Sequence, residues 1–323
     1  MTFVAAIIVG LFLLIWSSDR FIDGASSIAR NLGISPLIVG MLIIGFGTSA
    51  PEMIVSATAA FKGNPGLGIG NAIGSNITNI TLVLGCTALL FVLPVHSRLL
   101  KKEIPLVLGT AVLSWFLMSD GFFSRIDSIL LIIVMVLVLF WMMYSANKDR
   151  NTHDPLIDES ISELPEVFPL PLSIFWTVVG LVLLLVSSNL LVYGATNIAS
   201  AFGVSDLVIG LTIVAIGTSL PELAATISSA RKGETDLAVG NIVGSNLFNT
   251  LTVLPIPALV QPLKIPEGVL ERDIWVMLGA TVILYIVCFG VSKSSRYKIT
   301  RLSGAFLLAL FIAYEVLLYI QST

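Results

Sequence analysis

The sequence predicts an all-α polytopic membrane protein, with ten transmembrane helices forming two inverted five-helix repeats. Three observations carry that expectation: an apolar composition, ten long apolar segments, and a pair of motifs duplicated 170 residues apart. Of 323 residues, 56% are hydrophobic and only 11% are charged, with a mean hydropathy of +0.99. A soluble domain carries roughly a quarter charged residues, so too few polar groups remain here to face water. Lipid as the outer solvent removes the difficulty. The net charge of −3 argues against a nucleic-acid partner, and the two cysteines, Cys86 and Cys288, lie inside apolar runs that offer no disulfide framework.

A crossing helix needs about 20 apolar residues. That ruler gives spans at 2–17, 35–61, 66–94, 104–119, 126–146, 172–191, 206–230, 236–261, 273–291 and 301–320. The first lacks a basic leading region and a small-residue cleavage site, and a matching segment recurs later, so it is read as a span. Loops after the odd-numbered spans hold 13 Lys and Arg, against 4 in the loops after spans 2, 4 and 8. Cytoplasmic loops carry the excess, which predicts that both termini face outward. Residues 146–171, with Asp149, Asp154, Asp158, Glu159, Glu163 and Glu166 among several prolines, read as a solvated cytoplasmic linker.

GTSAPE at 47–52 returns as GTSLPE at 217–222, and GNAIGSN at 70–76 returns as GNIVGSN at 240–246. The same offset relates Ser17, Ser18, Gly24, Ala25, Gly33 and Ser35 to Ser187, Ser188, Gly194, Ala195, Gly203 and Ser205. Each half, 1–145 and 172–323, is therefore one unit of five spans. Five is odd, so the second unit enters the membrane from the opposite face. That is the inverted-repeat plan of secondary transporters, which place their site near the midplane; a channel can share it.

The duplicated motifs hold the chemistry. Glu52 and Glu222 lie inside spans 2 and 7, where an ionisable group costs roughly 2.5–3.5 kcal/mol or more and needs a partner or a cation. No Lys or Arg lies in the central turns of any span. Pro51 and Pro221 each deprive the carbonyl four residues earlier, Gly47 or Gly217, of its helical donor. Thr48, Ser49, Thr218 and Ser219 add hydroxyls in the same turn. On spans 3 and 8, Asn71, Ser75 and Asn79, and again Asn241, Ser245 and Asn249, are spaced four apart and share a helical face. Their plainer reading is interhelical hydrogen bonding. Gly70 and Gly74, like Gly240 and Gly244, form small-xxx-small pairs that admit a close neighbour helix. Oxygen donors without imidazole or thiolate select calcium, magnesium or alkali ions. Two carboxylates can neutralise one divalent ion or share several sodium ions, and that mutual exclusion is a physical basis for antiport.

At these four motifs the sequence resembles the calcium/cation antiporter superfamily, and within it the sodium/calcium exchangers of the compact bacterial YrbG-like branch. The resemblance implies Glu52 and Glu222 as charged cation ligands, with Thr48, Ser49, Thr218 and Ser219 beside them. It adds carbonyls at Gly45 and Ala215, and Ser75, Asn79, Ser245 and Asn249 on the facing helices. It also implies alternating access with sodium and calcium as transported ions, no cofactor, small inorganic cations and membrane lipid as partners with the oligomeric state left open, and a bacterial inner-membrane location. Some relatives, including potassium-dependent exchangers, carry Asp where this chain has Asn249, so a potassium site is not expected. The linker is too short for the calcium-regulatory domains of animal exchangers.

The residues themselves leave proton or other cation coupling open, because two glutamates can also carry protons. A passive channel predicts flux without counter-ion coupling. An intramembrane enzyme could use paired carboxylates as an acid/base dyad, but hydroxyls and freed carbonyls suit ion coordination better. His96 and His153 read as solvated, and Glu315, with no acid at the matching place in span 5, reads as lateral packing or an oligomer contact.

Overall fold

Residues 2–95, 99–151, 168–202, 215–290 and 297–322 are described by a computed structural model. Each predicted span has a helical counterpart. The first five are α1 (Thr2–Leu32), α2 (Pro36–Phe61), α3 (Pro65–Leu90), α4 (Ile104–Met118) and α5 (Arg125–Asn151). The second five are α6 (Leu170–Ala201), α7 in two pieces (Ala215–Thr218 and Leu220–Arg231), α8 (Thr235–Val260), α9 (Val269–Phe289) and α10 (Arg301–Ser322). Among the described residues, eight helices are long and apolar enough to cross a membrane. His96, His153, Gly203, Ser205 and most of the acidic linker lie outside the described residues.

Two ends differ from expectation. α1 runs past residue 17 to Leu32, and α6 past 191 to Ala201. At 1.5 Å per residue, 31 residues span about 46 Å, beyond a hydrocarbon layer of about 30 Å. The extension of α1 is polar and anchored. Asp19 accepts from the Ser228 hydroxyl at 2.5 Å and pairs with Arg231, while Lys232 Nζ lies 2.5 Å from Asp23 Oδ1. Arg20 sits 5.3 Å from the Trp176 ring centroid. In α6, Asn189, Thr196 and Asn197 hydrogen-bond carbonyls of their own helix.

The chain forms two compact units, Met1–Pro51 with Leu137–Asn241, and Glu52–Val136 with Ile242–Thr323. Each unit draws on both sequence repeats. In the first, α1 and α6 run antiparallel at glycine-width separation. A Cβ at Gly24 would lie 2.5 Å from Thr177 N, and one at Gly180 would lie 2.6 Å from Phe21 N. Gly10 and Gly194 make the matching approaches to Leu191 and Phe3. The four glycines are two repeat-related pairs, so one packing device is used twice. Phe21, Ile22, Leu184, Ala225 and Leu237 fill the core beside them.

In the second unit, α3 packs on α10 through Gly85 and Gly304; a Cβ at Gly304 would lie 2.6 Å from Leu89 N. Trp115 of α4 meets Trp275 of α9 at 5.5 Å between ring centroids. Two short antiparallel pairings tie the connections: β1 (Leu93–Pro94) with β4 (Lys298–Ile299), and β2 (Phe122–Phe123) with β3 (Leu263–Lys264). β1 and β3 are repeat-equivalent, and each pairs with a strand of the other repeat. The tight turns α2–α3 and α7–α8 both use a left-handed glycine, Gly63 at φ 80° and Gly233 at φ 81°.

Burial is inverted relative to a water-soluble protein. Phe12 is 76% exposed and Phe140 69%, while Glu52, Asn79, Glu222 and Asn249 are fully buried. Apolar outside and polar inside is the arrangement a lipid solvent selects.

Candidate functional site

Each GTSxPE motif folds as a broken helix. The first piece of α2 ends at Thr48, Ser49 takes φ −78° and ψ 3°, and helix resumes at Ala50. In α7, Ser219 takes φ −89° and ψ 3° between Thr218 and Leu220. The break follows from Pro51 and Pro221, which cannot donate back to the preceding turn. Ser49 N–H donates to Gly45 O at 3.2 Å. One expectation is corrected: the Gly217 carbonyl is not left free, because the Ser188 hydroxyl of α6 donates to it at 2.7 Å. A freed carbonyl at membrane depth is satisfied by whichever hydroxyl reaches it first.

The first unit holds Gly45, Thr48, Ser49, Ala215, Thr218, Ser219 and Glu222. Thr48 Oγ1 lies 3.1 Å from both the Ile44 carbonyl and Asn241 Oδ1, and Ser49 Oγ lies 3.5 Å from Glu222 Oε1. Asn241 Nδ2 donates to the Glu222 backbone carbonyl at 3.3 Å and to Thr226 Oγ1 at 2.9 Å. Gly240 lets α2 come close, with Leu37 O 2.6 Å from where a Cβ would stand.

The second unit holds Glu52, Ser75, Asn79, Ser245 and Asn249. Asn71 Nδ2 donates to the Glu52 backbone carbonyl at 3.1 Å and to Ser56 Oγ at 3.0 Å, repeating the Asn241 arrangement. The hydrogen-bonding reading of Asn71 and Asn241 is therefore the one observed. Gly70 and Gly74 do not act as Gly240 does, since, their own helix turn aside, no described atom lies within 4 Å of a Cβ at either. Asn79 Nδ2 donates to Asn246 Oδ1 at 3.2 Å, and Asn76 Nδ2 donates to Thr250 Oγ1 at 2.9 Å.

Buried polar atoms without a hydrogen-bond partner fall largely on the same residues. Both carboxylate oxygens of Glu52 are such atoms, with the Ser75 hydroxyl as the neighbouring side chain. So are Asn79 Oδ1, Ser219 Oγ and both amide atoms of Asn249. An orphaned buried polar group costs about 1–3 kcal/mol, and native structures hold few of them. Lone pairs left over at the expected ligand positions are the property a desolvated cation would use.

The sequence gives no warning of one local feature. A π-helical turn begins at Asn79 (Asn79–Val83) and another at Asn249 (Asn249–Val253). Such turns widen a helix by one residue and recur at functional sites. The repeat itself is the only signal of them, since each falls three residues beyond its GNxxGSN motif.

The model of the sodium/calcium exchanger protein family matches residues 2–144 and 172–320. The chain belongs to that family. It is 50% identical over 313 residues to the putative antiporter CaxA of Alkalimonas amylolytica, covering 97% of each chain. It is 42% identical to the inner membrane protein YrbG of Escherichia coli, over 96% of each. A solved structure of the sodium-calcium exchanger NCX_Mj, soaked with sodium and calcium, superposes with a TM-score of 0.82 at 33% identity, over 97% of each chain. The ten-helix inverted-repeat fold matches that neighbour, and the protein is an integral membrane cation/calcium antiporter rather than an enzyme. As in the rest of its family, the transported ions are small inorganic cations and no cofactor is used.

Proposed function

We propose that this exchanger moves calcium against sodium by alternating access. The observation that carries the reading is the coincidence of buried, unpartnered oxygens with the duplicated signatures. Glu52 and Glu222 are the charged ligands. Thr48, Ser49, Thr218, Ser219, Ser75, Asn79, Ser245 and Asn249 supply neutral oxygens, and Gly45 and Ala215 supply carbonyls. Calcium accepts six to eight oxygens in flexible geometry, whereas magnesium sheds its water reluctantly, so this donor set favours calcium.

With both glutamates ionised, one calcium leaves the loaded site neutral. Each net charge moved across the membrane is worth about 2.3 kcal/mol per 100 mV, and each tenfold ion gradient about 1.4 kcal/mol. Several sodium ions running inward thus suffice to drive one calcium outward. The two sequence repeats, 1–145 and 172–323, exchange roles between the inward-open and outward-open states, with 146–171 as a cytoplasmic tether. The setting is the bacterial inner membrane with both termini outside, as the Lys/Arg count supports.

Calcium titration of the purified protein tests the shared site. The apparent calcium affinity should fall as sodium is raised at constant ionic strength. Calcium binding indifferent to sodium would reject the competition on which the reading depends.

A further inference from the structure

Asn79 presents two chemically opposite ends of nearly equal shape: an oxygen that a cation attracts and an NH2 group that it repels. The terminal torsion of an asparagine is broad and roughly two-fold, so something must choose between the ends. Asn79 is fully buried at the start of a π-helical turn. Its Nδ2 donates to Asn246 Oδ1 at 3.2 Å, and its Oδ1 has no donor among the described residues. Asn246 is itself 1% exposed and sits on α8, one turn before Asn249. It belongs to the GNIVGSN motif but to none of the ligand positions considered above.

The structure assigns Asn246 as a positioning residue: we infer that it ties down the nitrogen of Asn79 so that the amide oxygen faces the transported cation. This rests on Asn79 being a ligand. The repeat-equivalent pair shows what happens without the tie. Asn76 spends its Nδ2 on Thr250 Oγ1 and on Met277 Sδ, at 2.9 and 3.3 Å, and its Oδ1 meets no donor. Asn249, its counterpart to Asn79, has neither amide atom bonded. One amide is oriented and its equivalent is not. The amide pair also has a flipped arrangement, with Asn246 Nδ2 donating to Asn79 Oδ1. A cation beside Asn79 selects against it, because it would turn an NH2 group toward positive charge.

A double-mutant cycle on the full-length protein separates positioning from plain packing. Calcium affinity and calcium uptake are compared for wild type, Asn246→Leu, Asn79→Asp and the double variant. Leucine keeps the branched heavy-atom skeleton of asparagine, at somewhat larger volume, and removes the acceptor. Alone it should weaken calcium binding by about fivefold, the worth of one hydrogen bond of about 1 kcal/mol. In the Asn79→Asp background the same change should cost less than about twofold, because a carboxylate has no wrong end to present. Equal loss in both backgrounds would overturn the role of Asn246 and leave a packing residue. If Asn79→Ala binds and transports calcium like wild type, Asn79 is not a ligand and both readings fall together. Should Asn246→Leu not fold, Asn246→Ala makes the same comparison with a smaller side chain.

Discussion

The Thr48 hydroxyl lies 3.1 Å from Asn241 Oδ1, joining the GTSAPE motif of the first repeat to the GNIVGSN motif of the second. The residues are 193 apart in sequence. Asn241 simultaneously holds the Glu222 backbone carbonyl and Thr226. A motif of one repeat is thus braced by a motif of the other inside a single compact unit.

The two glutamates are the first test of that assembly. Glu52→Gln and Glu222→Gln keep the shape and remove the charge, so calcium uptake should fall to the level of protein-free liposomes. Gel filtration and thermal melting should remain like wild type, since a buried neutral amide costs no more than a buried carboxylate. Full uptake by either variant would remove that residue from the site.

On the proposed site, position 249 sets how much negative charge the cation meets. Asn249→Asp adds a third carboxylate at a fully buried position, and calcium competition by sodium, potassium and protons should shift by about tenfold, the effect of about 1.4 kcal/mol. Inhibition curves for the three ions, measured side by side, check this. Superimposable curves would show that position 249 is not a ligand.

Helix packing gives a prediction independent of transport. Gly180→Ala would push a Cβ to 2.6 Å from the backbone nitrogen of Phe21, and backbone cannot swing aside. Overpacking of this kind costs about 1–3 kcal/mol, so the melting temperature in detergent should drop. Gly109→Ala, with no described atom within 4 Å of the new Cβ, should melt at or above wild type.

One pH effect belongs to the α7–α8 turn of the first unit, where Glu234 lies. Burial pushes the Glu234 carboxyl up to about 7, against the pull of Arg30 and Lys232 and with help from Asp236 and Asp23. A carboxyl raised in the folded state contributes stability that is present below its ordinary value of 4.5 and lost as pH rises toward about 7. Glu234→Gln should therefore melt like wild type near about pH 5 and above it near about pH 8. Parallel melting curves across that range would place the carboxyl in water.

Much of this was legible in the sequence, for a physical reason. Membrane depth forces hydropathy to report the spans, and duplication made Glu52 and Glu222 visible as a pair. The misses share another cause. Periodicity cannot show where a helix leaves lipid, so the polar extension of α1 through Asp19 and Asp23 was not foreseen. Sequence also does not say which hydroxyl reaches a freed carbonyl, and Ser188 took Gly217. The π-helical turns at Asn79 and Asn249 are tertiary choices without a local signature, and with them went the Asn79–Asn246 pair.

Calcium uptake into proteoliposomes loaded with sodium, against choline-loaded controls, tests the central claim most directly. Sodium/calcium exchange predicts rapid uptake only with the outward sodium gradient, lost in Glu52→Gln and Glu222→Gln. Equal uptake from sodium-loaded and choline-loaded vesicles, or uptake driven by a pH gradient alone, would contradict it.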